Sequence, residues 1–376
     1  MNKESAVLER YSEGANERQE SLCCPVNYQV DLLKILPEEI IEKDYGCGDP
    51  SRYVREGDVV LDLGSGSGKI CYMAAQLVGD NGMIIGVDMN NDMLALARKY
   101  QAEMAEKVGN DRVQFLKGKI QDLALDVDLM ESWLKSNPVT SADELAALEN
   151  WKLKQSQQSP LIADNSVDLV ISNCVLNLVS DQEKQQLVTE IFRVTKPGGR
   201  IAISDIISDE IIPEYLKNDK QLWSGCISGA FQELEMLQMF QEAGFIAVSY
   251  DKWSEAPWQV VEGIEFRSAT LTAIKREQIE CVDKGHTVIY SGPFSLVVDD
   301  EGHQFPRGER MAVCERTFNV FIYLINEPYK DDFIAIEPST EREPVPGDVP
   351  AGTRRPASET KHANYTNSDK SPGSCC

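Results

Sequence analysis

The chain has 376 residues, 42% hydrophobic and 26% charged, the composition of a globular protein with room for two domains. Its formal net charge of −24 excludes the basic footprint of a nucleic-acid binder and disfavours polyanionic substrates. No apolar run approaches the roughly 18 residues of a membrane span. The polar, acidic start MNKESAVLERYSEGANERQE resembles neither a signal nor a transit peptide. The expectation is therefore no nucleic acid, no membrane, a cytoplasmic location and a monomer.

In chain order, residues 1–50 read as an N-terminal helical cap and 51–251 as an α/β domain. Asp58–Leu63 is a short apolar strand that ends in a glycine turn, Lys69–Leu77 a helix, Met83–Asp88 a second strand, Asn91–Met104 a helix and Arg112–Leu116 a third strand. This alternation predicts a doubly wound parallel sheet with right-handed crossovers. Between about 124 and 160, Trp133, Leu134, Leu145, Leu148, Trp151 and Leu153 recur at helical spacing around a Ser-Asn-Pro turn, which predicts an inserted helical hairpin. The sheet resumes at Val167–Ser172; a helix over 181–195, a strand at Arg200–Ser204, a helix at Leu234–Ala243 and a strand at Gly244–Ser249 follow. From 252 to 337 the segments Gly263–Lys275, Thr287–Val298 and Phe318–Leu324 alternate and are β-branched or aromatic, so they read as a smaller β-rich C-terminal domain. Residues 338–376, rich in proline and ending in Cys375-Cys376, read as a disordered tail.

The most diagnostic segment is Asp62-Leu-Gly64-Ser65-Gly66-Ser-Gly68. Dinucleotide folds space their glycines G-x-G-x-x-G to seat a pyrophosphate on a helix N-terminus. Here Lys69 stands where the last such glycine belongs, and an acid precedes the loop. S-adenosylmethionine has no phosphate and carries a sulfonium and an amino group, so a close backbone and a nearby carboxylate suit it. Asp88 ends the second strand, where a carboxylate accepts from ribose hydroxyls, with Met89 beside it. Lys119-Ile120-Gln121 should frame the adenine, and Asn173 should face the methyl group. The fold expected is a class I methyltransferase (Rossmann-like) sheet.

Ten cysteines occur without any C-x-x-C, and all three histidines fall at or after His286, so a structural zinc site is poorly supported. Cys174 follows the fourth strand and Cys226 follows the fifth, both on the carboxyl-end rim where the acceptor belongs, which suggests a site for a soft ligand. Cys281 and Cys314 read as core residues of the C-terminal domain.

With these motifs in view, the sequence resembles the arsenite S-adenosylmethionine methyltransferases. The resemblance is carried by Asp44-Tyr-Gly-Cys-Gly-Asp-Pro50, Gly66-Ser-Gly-Lys-Ile-Cys-Tyr72, Ser172-Asn-Cys-Val-Leu-Asn177, the Cys226 loop and Phe266-Arg-Ser-Ala269, and it spans about residues 22–275. It implies that Cys174 and Cys226 bind arsenic(III). It also implies that Cys47 and Cys71 complete the thiol set, either through a transient disulfide with each other or by delivering the metalloid. Arsenite as a thiol conjugate and a glutathione or thioredoxin-type reductant are the implied partners, and arsenic detoxification the implied role. Gln121, Gly225 and the insertion depart from the family pattern. The pairs Cys23-Cys24 and Cys375-Cys376 are further candidates for metalloid capture. A carbon, oxygen or nitrogen acceptor, a non-catalytic metalloid-binding protein and a nicotinamide-dependent dehydrogenase are the competing readings.

Overall fold

Val59-Val-Leu-Asp-Leu63 is apolar on both faces, which suits the middle of a parallel sheet covered on both sides. In the computed structural model, which describes residues 3–19, 26–276, 280–325, 332–338, 343–347 and 349–360, this segment is strand β1. Around it lie β2 (Met83–Asp88), β3 (Val113–Lys117), β4 (Val167–Asn173), β5 (Thr195–Ser208), β6 (Phe231–Gln232), β7 (Phe245–Trp253), β8 (Gln259–Val261) and β9 (Ile264–Lys275). The main path runs β3-β2-β1-β4-β5-β9-β7. β1 pairs in parallel with β2 through Leu61↔Ile85 and with β4 through Leu61↔Val170, so the strand order reverses at β1. The crevice outside the carboxyl ends of the strands at such a reversal is where open α/β sheets bind ligands.

Both faces of the sheet are covered. On one, Ile70, Tyr72 and Met73 of α2 (Lys69–Ala75) and Leu94 and Ala97 of α3 (Asn91–Lys99) pack with Leu32, Leu36 and Ile40 from the N-terminal region. On the other, Leu187, Val188 and Ile191 of the helix Lys184–Val194 join Met236 and Phe240 of the helix Glu233–Glu242. The segment 124–160 holds two helices, Val127–Ser136 and Ala142–Gln158. Asp126 and Ser141 cap their first turns, and the rings of Trp133 and Trp151 stack at 5.6 Å.

The structure moves the domain boundary expected at 252. The chain divides into Met1–Arg276 and Glu277–Cys376. β9 belongs to the first unit, inserted antiparallel between β5 and β7, in register from Arg200↔Ile274 to Ser208↔Phe266. Its alternation marks it as a strand but does not say which strands it joins.

In the second unit, Phe318–Leu324 lies in a helix, Glu315–Ile325, and not in a strand. The Phe318 amide donates to the Cys314 carbonyl, and Phe318 and Phe321, one turn apart, face the local core. Thr287–Val298 is two strands, Thr287–Tyr290 and Leu296–Val298, interrupted at Gly292-Pro293. Cys281 and Cys314 form a disulfide, which corrects their reading as plain core residues. Part of the segment expected to be disordered is built into this unit: Val345–Pro346 pairs antiparallel with Val282–Asp283, and Arg355 ion-pairs with Asp283 at 2.7 Å. Cys23-Cys24 and Cys375-Cys376 lie outside the described residues.

A chain ending at Arg276 should unfold cooperatively, because it keeps β9. One ending at residue 251 should not, because β5 and β7 lose their common partner. Within the shorter stable chain, Phe266→Ala, at a fully buried position, should cost about 3–5 kcal/mol in denaturant unfolding. Cooperative unfolding of the 251-residue chain would contradict the assignment.

Candidate active site

The turn from β1 into α2 brings the backbone close to its neighbours. Gly64, Gly66 and Gly68 have φ of +68°, +51° and +84°, and a Cβ at Gly64 would lie 2.4 Å from Val175 Cγ1. The Gly64 amide donates to the Val87 carbonyl at 2.8 Å, and the Gly66 amide to Asp88 Oδ2 at 2.8 Å. Asp88 Oδ1 accepts from the Asn90 amide at 2.7 Å. With the Gly66 N–H directed at a carboxylate, this loop is not arranged as a pyrophosphate cradle.

Above it opens a cavity of about 550 Å³, lined by Asp62, Gly64, Ser65, Gly66, Asp88, Met89, Ile120, Gln121 and Asn173 among others. Of the expected cofactor residues only Gly68 stands back from the cavity wall, where a Cβ would strike the Phe115 ring. Two buried groups fit a cationic, hydrogen-bonding guest. Ser65 Oγ has no hydrogen-bond partner. Asp62 receives a hydrogen bond from the Cys71 thiol at 3.2 Å, and burial, with the Asp44 and Asp88 charges adding, raises its pKa to about 7. Burial also raises Asp88. Lys69 is committed to Asp44 at 2.9 Å, over the Tyr28 ring.

Helix α1 (Lys3–Asn16) closes the cavity, contributing Lys3, Glu4, Val7, Leu8 and Tyr11 to its wall. Glu4 ion-pairs with Lys119 at 2.6 Å, and the Leu8 carbonyl accepts from Asn90 Nδ2 at 3.2 Å. On the other side, Arg10 donates to the Gln221 carbonyl at 2.9 Å and to Ser224 Oγ at 2.8 Å, beside the Cys226 loop. One helix thus spans the cofactor edge and the acceptor edge. Burial, and then the Cys226 and Cys174 charges, hold the Tyr11 phenol well above its usual pKa, so it stays protonated at 3.8 Å from Cys226 Sγ.

Three cysteines come together at the end of β4. Cys47, Cys174 and Cys226 share one buried apolar cluster with Ile206, Ile212, Leu216 and Phe266. Each is set by backbone geometry. The Cys174 amide donates to the Ser204 carbonyl at 2.8 Å. Asn173 Oδ1 accepts from the amides of Cys47 and Gly48, both at 2.9 Å, which pins that loop beside Cys174. Cys226 Sγ lies 3.3 Å from the Cys174 carbonyl. Cys174 and Cys226 have φ of +65° and +62°, a region that costs a non-glycine residue about 1–3 kcal/mol and persists where the surroundings over-determine it.

Cys71 is not among them. It is buried in the other core cluster, behind the glycine loop, and burial and then the Asp62 charge push its thiol pKa well up. The Cys47–Cys71 disulfide that the resemblance implies as one alternative is not formed in this structure, where both thiols are reduced and the Cys71 thiol donates to Asp62. Cys174 lines the cavity, while Cys47 and Cys226 sit just behind its wall.

Three site residues, Asp205, Asn177 and Tyr11, are not marked by the sequence. Asp205, fully buried, accepts from the amides of Ile206 at 2.8 Å and Asn177 at 3.3 Å, and burial raises its carboxyl to about 6. Asn177 Nδ2 donates to the carbonyls of Ile206 at 2.6 Å and Cys226 at 3.2 Å, joining the two cysteine loops. Asp205 lies in β5 close to its carboxyl end, the region that made Cys174 a candidate, and could have been found by the same rule. Tyr11 had no comparable signal.

A carboxyl that titrates near 7 must lose its proton to pair with a cation. Affinity for S-adenosylmethionine should therefore rise with pH and level off above about 7, with calorimetry showing release approaching one proton per ligand on the acid side. Asp62→Asn should remove that pH dependence along with much of the affinity. Retention of the dependence in Asp62→Asn would assign it to another group.

The comparisons agree with this geometry. A methyltransferase domain family matches residues 55–145 and 135–244, and a domain of unknown function (DUF8838) matches 277–365. The arsenite methyltransferase of Aquipseudomonas alcaligenes is 31% identical over 324 residues, covering 82% of this chain and 83% of that protein. The Mus musculus arsenite methyltransferase is 31% identical over 350 residues, covering 89% and 80%. The crystal structure of the arsenic(III) S-adenosylmethionine methyltransferase of Chlamydomonas reinhardtii, 26% identical, superposes with a TM-score of 0.55 over 88% of this chain and 99% of that one. With its doubly wound sheet, a cavity suited to S-adenosylmethionine and relatives matched over most of their length, the chain belongs to the arsenite methyltransferase family of class I S-adenosylmethionine-dependent enzymes.

Proposed function

We propose that this chain methylates trivalent arsenic held by the thiolates of Cys174 and Cys226, with Cys47 as a third sulfur, and that the reaction serves arsenic detoxification. The observation that carries the reading is the convergence of three cysteines from three separate loops in one cluster, Cys174 in the cavity wall and Cys47 and Cys226 behind it, two of them in left-handed backbone. Arsenic(III) prefers thiolate sulfur and keeps a lone pair in a pyramidal site. That lone pair is the nucleophile, so no proton has to leave it and no general base is needed. All three histidines, His286, His303 and His362, lie beyond Arg276, in keeping with that chemistry. The work of the protein is then proximity and orientation, which can supply up to about 7–11 kcal/mol.

When bound, S-adenosylmethionine supplies a sulfonium methyl carbon to the arsenic lone pair, and the carbon–sulfur electron pair leaves with S-adenosylhomocysteine. Asp62 offsets the positive charge of that ligand, Asp88 orders the loop around it, and α1 keeps water from the reacting edge. Arsenic passes from the trivalent to the pentavalent state, so two electrons must restore it. We assign that step to a glutathione or thioredoxin-type thiol, with arsenite arriving as a thiol conjugate. The reduced thiols of Cys47, Cys71, Cys174 and Cys226 support a reducing, cytoplasmic location, with the Cys281–Cys314 disulfide as the feature that counts against it.

Purified protein given arsenite, a thiol and labelled S-adenosylmethionine should yield methylated arsenic on separation of the products. Cys174→Ser and Cys226→Ser should each lower turnover by at least about a hundredfold with S-adenosylmethionine affinity retained. Full methylation of arsenite in both variants would remove Cys174 and Cys226 from the acceptor site, and a wild type that forms no methylated arsenic would point to an organic acceptor. Cys71→Ala should leave arsenite affinity unchanged and raise KM for S-adenosylmethionine, because Asp62 loses the hydrogen bond that favours its ionised form. Loss of turnover with an unchanged KM would return Cys71 to the thiol cycle.

A further inference from the structure

We propose that Cys47, Cys174 and Asp205 form a binding site for a soft divalent cation of the zinc–cadmium class. Such a cation would occupy the acceptor position in place of the metalloid and block methyl transfer. The two sulfurs and a carboxylate oxygen lie within 4.8 Å of one another, all three residues buried. Zinc and cadmium take tetrahedral sites of thiolate and carboxylate donors, and three protein ligands leave a fourth position open.

The carboxylate is the distinguishing part. Arsenic(III) is served by sulfur, and a hard oxygen donor adds little to its site. A dication with two thiolates gains most of its charge balance there and still has room for an oxygen ligand. Two overlapping donor sets therefore share Cys47 and Cys174. Cys226 completes the set for the metalloid, and Asp205 completes the set for the cation. Cys226 Sγ is turned toward the Cys174 carbonyl and Tyr11, and is not among the grouped donors.

The cation set is held in place before any ligand arrives. The amides of Ile206 and Asn177 orient the Asp205 carboxylate, Asn173 fixes the Cys47 loop, and the Ser204 carbonyl fixes the Cys174 backbone. Such outer partners typically contribute about 10–100-fold to metal affinity. Binding of the cation stands on this geometry alone, whereas its inhibitory effect rests on the arsenic reading above.

The test uses the full-length reduced protein with Cys23, Cys24, Cys281, Cys314, Cys375 and Cys376 replaced by serine, so that neither the terminal pairs nor the thiols of the reduced disulfide compete with the buried site. Cadmium-113 added at one equivalent should give a single resonance in the range of a two-sulfur, oxygen-containing donor set, and cadmium should compete with arsenite. Cys47→Ser, Cys174→Ser and Asp205→Asn should each weaken cadmium by at least about tenfold. Cys226→Ser should lose arsenite affinity and keep its cadmium resonance. Zinc, read by displacement of cadmium, shows which of the two cations the site prefers. S-adenosylmethionine affinity reports that each variant is folded, and the wild-type resonance decides the donor set even where Asp205→Asn does not fold. A resonance of all-sulfur type, equal loss of cadmium in Cys226→Ser, unchanged affinity in a folded Asp205→Asn, or no stoichiometric binding would each overturn the proposal. Cadmium bound as expected in an enzyme that does not methylate arsenite would overturn the arsenic reading and leave this one standing.

Discussion

Everything at the reacting end of the molecule depends on the position of β4 between β1 and β5. The parallel pairing ends with Ser172 Oγ donating to the Leu63 carbonyl at 3.1 Å on one side and the Cys174 amide donating to the Ser204 carbonyl at 2.8 Å on the other. The first contact ties the acceptor strand to the glycine loop, and the second ties it to the strand that carries Asp205. Asn173, between them, holds the Cys47 loop with two further hydrogen bonds. The relative position of cofactor and acceptor is therefore written into one strand's register, and a slip of one residue would turn Cys174 to the opposite face.

Charge organises the other half of the site. Asp62 and Asp205 are buried and Asp88 is half-buried, with few cations near them, and desolvation raises the pKa of each. Held this way, a carboxylate is costly until a cation arrives. Backbone amides offset part of the cost at Asp88 and Asp205, whereas Asp62 has a single weak thiol donor. The least satisfied of the three acids lines the cavity, which is what the proposed pairing with a cationic ligand requires. Left-handed backbone at Cys174 and Cys226 is another local cost carried at the same site, and the surrounding hydrogen bonds hold it there.

Much of this was legible in the sequence. Alternating apolar strands and helices announced the doubly wound sheet, the glycine spacing with its leading acid announced the cavity, and the rim rule found Cys174. What stayed hidden is three-dimensional. β9 has the same alternation whether it joins the central sheet or a separate domain, so the boundary was set too early. Phe318 and Phe321 fit either a helical face or a short apolar strand, and periodicity over so short a run does not separate the two. Cys71 sits inside a family motif, yet a helix starting at Lys69 turns its thiol toward Asp62. Asn177 and Asp205 act through backbone contacts that no linear pattern encodes, although Asp205 lies near the end of a strand as Cys174 does.

In the proposed site, three cysteine sulfurs surround the arsenic atom. X-ray absorption at the arsenic edge on the full-length enzyme with one equivalent of arsenite counts the sulfur neighbours directly. Three sulfurs in the wild type, falling to two in Cys226→Ser, is the expected result. An oxygen-dominated shell, or a sulfur count indifferent to Cys47, Cys174 and Cys226, would contradict the assignment of these thiols as the acceptor site.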